Sequence, residues 1–121
     1  MAATDDLSWS VSAAVAGASS SVMQVPSWQP KSLDVTLQVT AATGGTTPAV
    51  QAEVKWSFDG ATFVSADSTP DYFPDNTNTG LRVGASAVKE FEVKAPYWRI
   101  DTTFSGAPTN MTYRIDTRYT Q

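Results

Sequence analysis

The chain has 121 residues, a net charge of −4 and a pI near 4.5, which fits one domain that buries roughly two-thirds of its unfolded surface and argues against a Lys/Arg-rich phosphate-binding face. Cys and His are both absent, so disulfides, thiolate sites and cysteine nucleophiles are excluded, and with them the usual zinc, copper and haem ligands and the commonest general base near neutral pH. No run approaches the ~20 apolar residues of a membrane span, and Asp5 and Asp6 stand where a secretory signal carries Lys or Arg; a soluble protein made in the cytoplasm is expected.

Residues 1–8 are small and polar and read as an arm. Trp9, Val11, Ala13 and Val15 then alternate with small polar residues, which suits a strand with one weakly apolar face. Gly17 to Ser21 breaks it. Val22-Met23-Gln24-Val25 is a short second strand, and Pro26-Ser27-Trp28-Gln29-Pro30 is irregular because each proline lacks a donor and restricts the residue before it. Residues 1–30 therefore read as an N-terminal arm with an edge strand, and 31–121 as the main domain. In that domain Leu33, Val35, Leu37 and Val39 face one way and Asp34, Thr36, Gln38 and Thr40 the other, the best strand alternation in the chain.

Thr43 to Pro48 is a loop by composition. Val50, Ala52, Val54, Trp56 and Phe58 then share a face, so this strand is expected beside the preceding one, joined by a wide turn or a projecting loop. Asp59-Gly60 marks a β-hairpin, with Gly60 free to take positive φ and the Asp59 carboxylate able to bond local backbone N–H groups; Phe63-Val64-Ser65 is the return strand. Ala66 to Gly84 is dense in Pro, Gly, Asp and Asn, which excludes a long helix. Within it Tyr72 and Phe73 are the aromatic residues periodicity explains least. Val88, Phe91 and Val93 mark another strand whose parity slip implies a bulge or a late start. After the Ala95-Pro96 turn, Trp98, Ile100, Thr102 and Phe104 alternate, and after Ser105 to Pro108 so do Met111, Tyr113, Ile115, Thr117 and Tyr119. Regularly spaced strands without a 3.6-residue stripe give an all-β fold, an antiparallel sandwich or barrel, of which a jelly-roll-like β-sandwich with an extended N-terminal arm is the form expected.

The motifs that could carry chemistry are few. Ser57-x-Asp59-Gly60-x-Thr62-Phe63 looks like the Asp-box hairpin of sialidase-type propeller blades, which in that family is a structural turn. Asp67, Asp71 and Asp75, or Glu90 with Glu92, could pair for glycoside hydrolysis, but turn chemistry accounts for the first set and a solvated strand face for the second. Asp71, Asp75, Asn76 and Asn78 offer oxygen ligands for calcium without matching the spacing of an EF-hand loop. Trp28, Tyr72, Phe73 and Tyr97 could stack on sugar rings, which leaves a carbohydrate-binding module open; ordinary core or interface packing accounts for the same residues. Trp9 either caps the core or is carried by the arm onto a neighbouring subunit's sheet.

From about Ser32 to Tyr119 the order of features resembles small accessory virion proteins of tailed bacteriophages. The features are an alternating strand, a polar loop, a Ser-x-Asp-Gly-aromatic hairpin, a strand like Tyr97-Trp98-Arg99-Ile100 and a closing strand from Met111 to Tyr119. The resemblance implies a β-sandwich without enzymatic activity or cofactor, located in the virion, that decorates or cements the capsid by binding the major capsid protein or other virion proteins. A tail, baseplate or fibre component is the neighbouring alternative. Trp9, Trp28, Tyr72 and Phe73 are then the candidate partner-binding residues, Asp59 and Gly60 a structural turn, and a homo-oligomer is expected. Neither nucleic acid nor membrane is an expected partner.

Overall fold

The computed structural model describes residues 7–13, 17–65, 72–73 and 80–121. Their elements are ten strands: β1 (Ser8–Ala13), β2 (Gly17–Ser19), β3 (Met23–Gln24), β4 (Ser32–Thr43), β5 (Ala49–Ser57), β6 (Tyr72–Phe73), β7 (Leu81–Arg82), β8 (Ser86–Glu92), β9 (Tyr97–Ser105) and β10 (Asn110–Thr120). One sheet runs β1-β10-β4-β8; the other runs β2-β9-β5-β6, with β3 also on β9 and β7 also on β5. All pairings are antiparallel. With β2/β3 and β6/β7 each taken as one interrupted strand, this order is that of a jelly roll, as the sequence pattern implies.

The alternating residues of the long strands meet between the sheets. Leu33, Val35, Leu37 and Val39 of β4, Trp98 and Ile100 of β9, and Met111, Tyr113 and Ile115 of β10 are all essentially inaccessible to solvent. Polar groups inside this core are bonded rather than excluded. The Tyr113 hydroxyl and Thr102 Oγ1 lie 2.6 Å apart, and Trp98 Nε1 donates to the Tyr119 hydroxyl at 3.0 Å. Such pairing is what makes the burial of polar groups tolerable.

β4 and β5 are not neighbours, as their consecutive alternation suggested, but lie in opposite sheets with their apolar faces towards each other. The loop between them does not project either. Thr46 N–H donates to Gly106 O, and Thr109 N–H and Oγ1 donate to Thr43 O, fastening it to the β9–β10 turn. Gly17 to Ser19, read as a break, is a strand because β9 supplies its bonds: Thr102 Oγ1 both accepts from Ala18 N–H and donates to Ala18 O. The expected return strand after Gly60 reduces to one bridge, Val64 with Trp56.

β8 pairs with β4 in unbroken register from Ser32↔Glu92 to Gln38↔Ser86, so the parity slip is no bulge. Val88 faces outwards, 68% exposed. The bulge lies instead where β4 meets β10, between Thr112 and Tyr113, which pair with Ala41 and Val39 and pass over Thr40. The extra residue switches parity and turns Ala42 towards the core.

The described part of the first thirty residues lies within the two sheets: β1 along β10, β2 and β3 along β9. Leu7 is tied to Thr117 by a bond from its N–H to Thr117 Oγ1 at 2.8 Å and one from Thr117 N–H to Leu7 O at 2.9 Å.

Candidate functional site

In this topology the connectors alternate between the two ends of the sandwich. The segments 25–31, 58–65 and 93–96 gather at one end. Residues 44–48 and 106–109 gather at the other, where their mutual bonds close the surface.

At the first end β5 runs out at Ser57 into a turn held almost wholly by two side chains. Ser57 Oγ donates to Asp59 Oδ1 at 2.8 Å and accepts from Gly60 N–H at 2.9 Å. The same Asp59 oxygen accepts from the N–H groups of Ala61 and Thr62 at 2.8 and 2.9 Å. These backbone bonds, with that from Ser57, lower the Asp59 pKa to about 2. Gly60 takes the positive φ of 79° expected of it. The turn is closed by the two backbone bonds between Trp56 and Val64.

The consequence is the placement of Phe58. Strand alternation assigned it to the core, but it is the first residue beyond β5 and projects 83% exposed. Phe58, Trp56, Asp59, Thr62, Val64 and Lys94 line an open hollow of about 500 Å³ whose wall is mostly apolar. Val64 is itself 59% exposed. Ala95 borders this hollow and also a second one formed by Val25, Pro26, Pro30 and Pro96, so the two adjoin at that residue. Trp28 lies on the 25–31 connector, 49% exposed, with its ring edge-to-face on Tyr119 at 6.4 Å.

The neighbouring outer face of β5 and β9 is polar, and its charged side chains are paired with one another or with neighbouring groups. Arg99 stacks over Phe63 at 4.6 Å and donates to Asp101 at 3.0 Å, while Lys55 reaches Asp101 at 3.4 Å. Burial pushes the Asp101 carboxyl up, yet bonds from Ser19, Arg99 and Lys55 outweigh it and hold its pKa below the ordinary value. Glu53, buried on the same face, accepts from Ser65 Oγ. Among the described residues no buried side-chain nitrogen or oxygen lacks a partner. None of their acidic groups form a cluster able to hold a metal ion.

Of the sequence-derived candidates, Trp28 and the Asp59-Gly60 turn come to this end of the sandwich. Phe73, expected at a partner-binding surface, is instead core, 1% exposed, against Phe91 at 6.4 Å. Tyr72 is half-buried on β6, and its carbonyl accepts from Lys89 Nζ. Trp9 is half-buried on β1, edge-to-face with Tyr113 at 6.2 Å. Tyr97 is half-buried beneath Gly60. Glu90 and Glu92 are exposed on β8, as a solvated face requires. Asp67, Asp71, Asp75, Asn76 and Asn78 lie outside the described residues. Phe58, Val64 and Lys94 were missed; the available signal was that an Asp-box turn begins at its Ser, which places the following Phe58 in the turn.

No protein-family model and no curated protein matches the chain. Among solved structures it aligns with a chain of infectious bursal disease virus, Gx strain, with a TM-score of 0.49 and 14% identity over 97% of this chain and 29% of that one. A chain of the Gt strain aligns with a TM-score of 0.45 and 14% identity over 98% and 32% of the two chains. The protein thus spans less than a third of the length of the chains it aligns with, and a likeness at this level carries no argument about function.

Proposed function

We propose that the protein is a non-enzymatic virion structural protein that decorates or cements a phage capsid, attaching to the major capsid protein through the end of the sandwich that carries Phe58, Val64 and Trp28. The carrying observation is Phe58, a large aromatic side chain 83% exposed on a turn fixed by five side-chain hydrogen bonds. An exposed aromatic on a fixed backbone beside an apolar hollow has the properties of an interface anchor, since little backbone ordering entropy remains to be lost on binding. The described polar groups support a binding role, because the buried ones and the Lys55, Arg99 and Asp101 cluster on the β5/β9 face are engaged in structural bonds. The jelly-roll order also fits, being common in viral shells, but it serves lectins too, so the fold by itself supports both readings.

The test is binding of the purified chain to intact capsids. Phe58→Asp and Val64→Asp should each weaken attachment by roughly 2 kcal/mol or more, about 30-fold, while leaving the melting temperature unchanged. Binding to tails or baseplates instead of capsids would move the protein to the neighbouring alternative. The sugar-binding reading rests on the same exposed aromatics, Trp28 and Phe58: glycan-array binding lost in Trp28→Ala, without capsid binding, would replace the capsid reading.

A further inference from the structure

Among the described residues no strand pairs with the outer side of β1 or of β8 in the sheet β1-β10-β4-β8, and these two edges differ in kind. The bond from Thr117 N–H to Leu7 O fixes the parity of β1: its odd-numbered residues bond to β10, and Ser8, Ser10 and Ser12 turn their backbone N–H and C=O groups outwards. Likewise the bonds from Val93 N–H to Lys31 O and from Val39 N–H to Ala85 O place Ser86, Val88, Glu90 and Glu92 at the outer edge of β8. β8 carries the features that block edge pairing. Lys89 lies on the inward face with its Nζ 5.2 Å from the Phe91 ring centroid, and Glu90 and Glu92 line the outer face. β1, Ser-Trp-Ser-Val-Ser-Ala, carries no charge at all. On its inward face Trp9 and Val11 pack against the core yet stay only half-buried, so apolar surface at this edge is left uncovered.

The geometry points to a second copy of this chain as the occupant of the β1 edge, paired antiparallel about a two-fold axis through Ser10. In that register Ser10 exchanges both backbone bonds with the partner's Ser10, and Ser8 does so with the partner's Ser12. On the inward face Trp9 stands opposite the partner's Val11 and both lose their remaining exposure. No charged pair enters the seam, whereas a β8 pairing would carry Lys89, Glu90 and Glu92 into it. The outer side chains are already positioned, Ser8 by Asp116 and Arg114 and Ser12 by Asn110. The contact is isologous and closes on itself, so the product is a dimer with one sheet continuous through both copies. It uses a different face from the Phe58 hollow and does not depend on what that hollow binds.

Sedimentation equilibrium and amide hydrogen exchange on the full chain test the pairing. The wild type should dimerise with a micromolar or tighter Kd, and exchange at Ser8, Ser10 and Ser12 should slow as concentration rises while Trp9 and Val11 stay protected throughout. Ser10→Pro deletes the outward N–H and spares the bonds to β10; Ser10→Lys, at an exposed position, sets two like charges opposite each other. Both should weaken dimerisation at least about tenfold, and Ser10→Lys carries the test if the proline variant does not fold. The pairing is overturned if the wild type remains monomeric at about 100 μM, where a micromolar dimer would be nearly saturated. A dimer of undiminished affinity in Ser10→Lys would equally exclude it, as would concentration-dependent protection at Ser86, Val88 and Glu90 instead.

Discussion

Asp59 organises its turn with one carboxylate oxygen that takes bonds from Ser57, Ala61 and Thr62, and this gives the turn a pH dependence of known sign. The folded pKa of about 2 lies below the ordinary 3.8, so the charged form is favoured by folding. The resulting stability is complete above 3.8 and is lost as pH falls through about 2. The gap in melting temperature between wild type and Asp59→Ala should therefore be widest above that range and shrink below it, as thermal melts followed by circular dichroism would show; a gap independent of pH would mean that the charge is not what holds the turn. Aromatic residues divide along a different line. Phe73→Ala, in the core, should cost about 3–5 kcal/mol in denaturant unfolding, whereas Trp28→Ala should cost about 1 kcal/mol or less. Composition gives no means of telling these two apart: both sit among prolines in irregular sequence, and only the pairing of β6 with β5 draws Phe73 inside.

The two connectors at the end opposite Phe58 show how an element can be fixed largely by close backbone contact. Gly45 and Gly106 both have positive φ, and a Cβ on Gly45 would lie 2.2 Å from Gly106 O, while one on Gly106 would lie 2.4 Å from Thr46 O. Gly84 has a similar φ of 85° with open space around it. Gly84→Ala should therefore cost about 1 kcal/mol from backbone strain, and Gly45→Ala or Gly106→Ala distinctly more, because two loops must separate; chemical denaturation of the three variants gives the ranking directly. The long strands β4, β9 and β10 were legible in the sequence because each writes its inward face in alternating apolar residues. β2, β6 and β7 were not, since their small or mixed side chains carry no such pattern and their extended backbone is stabilised by bonds to β9 and β5. The same holds for the bulge at Thr40, which answers to the pairing of β4 with β10 and has no local cue.

At the scale of the molecule, β4 and β5, β8 and β9, and β9 and β10 each lie in opposite sheets, and β10 sits between β1 and β4. Sequential strands pair in most sheets, which is why two well-patterned neighbours such as β4 and β5 suggest a hairpin, and why strand order was the part of the fold least accessible from sequence. The site shared that fate: Phe58, Val64, Ala95 and Trp28 come from three connectors that only this crossing topology brings to one end. The topology also sets the folding rate. Ser8 pairs with Asp116 and Ser32 with Thr120, so loop-closure entropy must be overcome before the first sheet gains its central strand. Trp98 and Trp56, both buried where β9 and β5 face the other sheet, report this step. Refolding followed by their fluorescence should fall in the millisecond-to-second range typical of non-local β-proteins. Ile115→Ala, at the centre of β10 and fully buried, should lower stability by about 2–5 kcal/mol. If docking of β10 forms part of the rate-limiting step, much of that loss will appear as slower folding; if β10 docks afterwards, it will appear as faster unfolding. Refolding within about 100 μs would show that local pairs such as Trp56 with Val64 dominate, and the crossing topology would then not be what limits the rate.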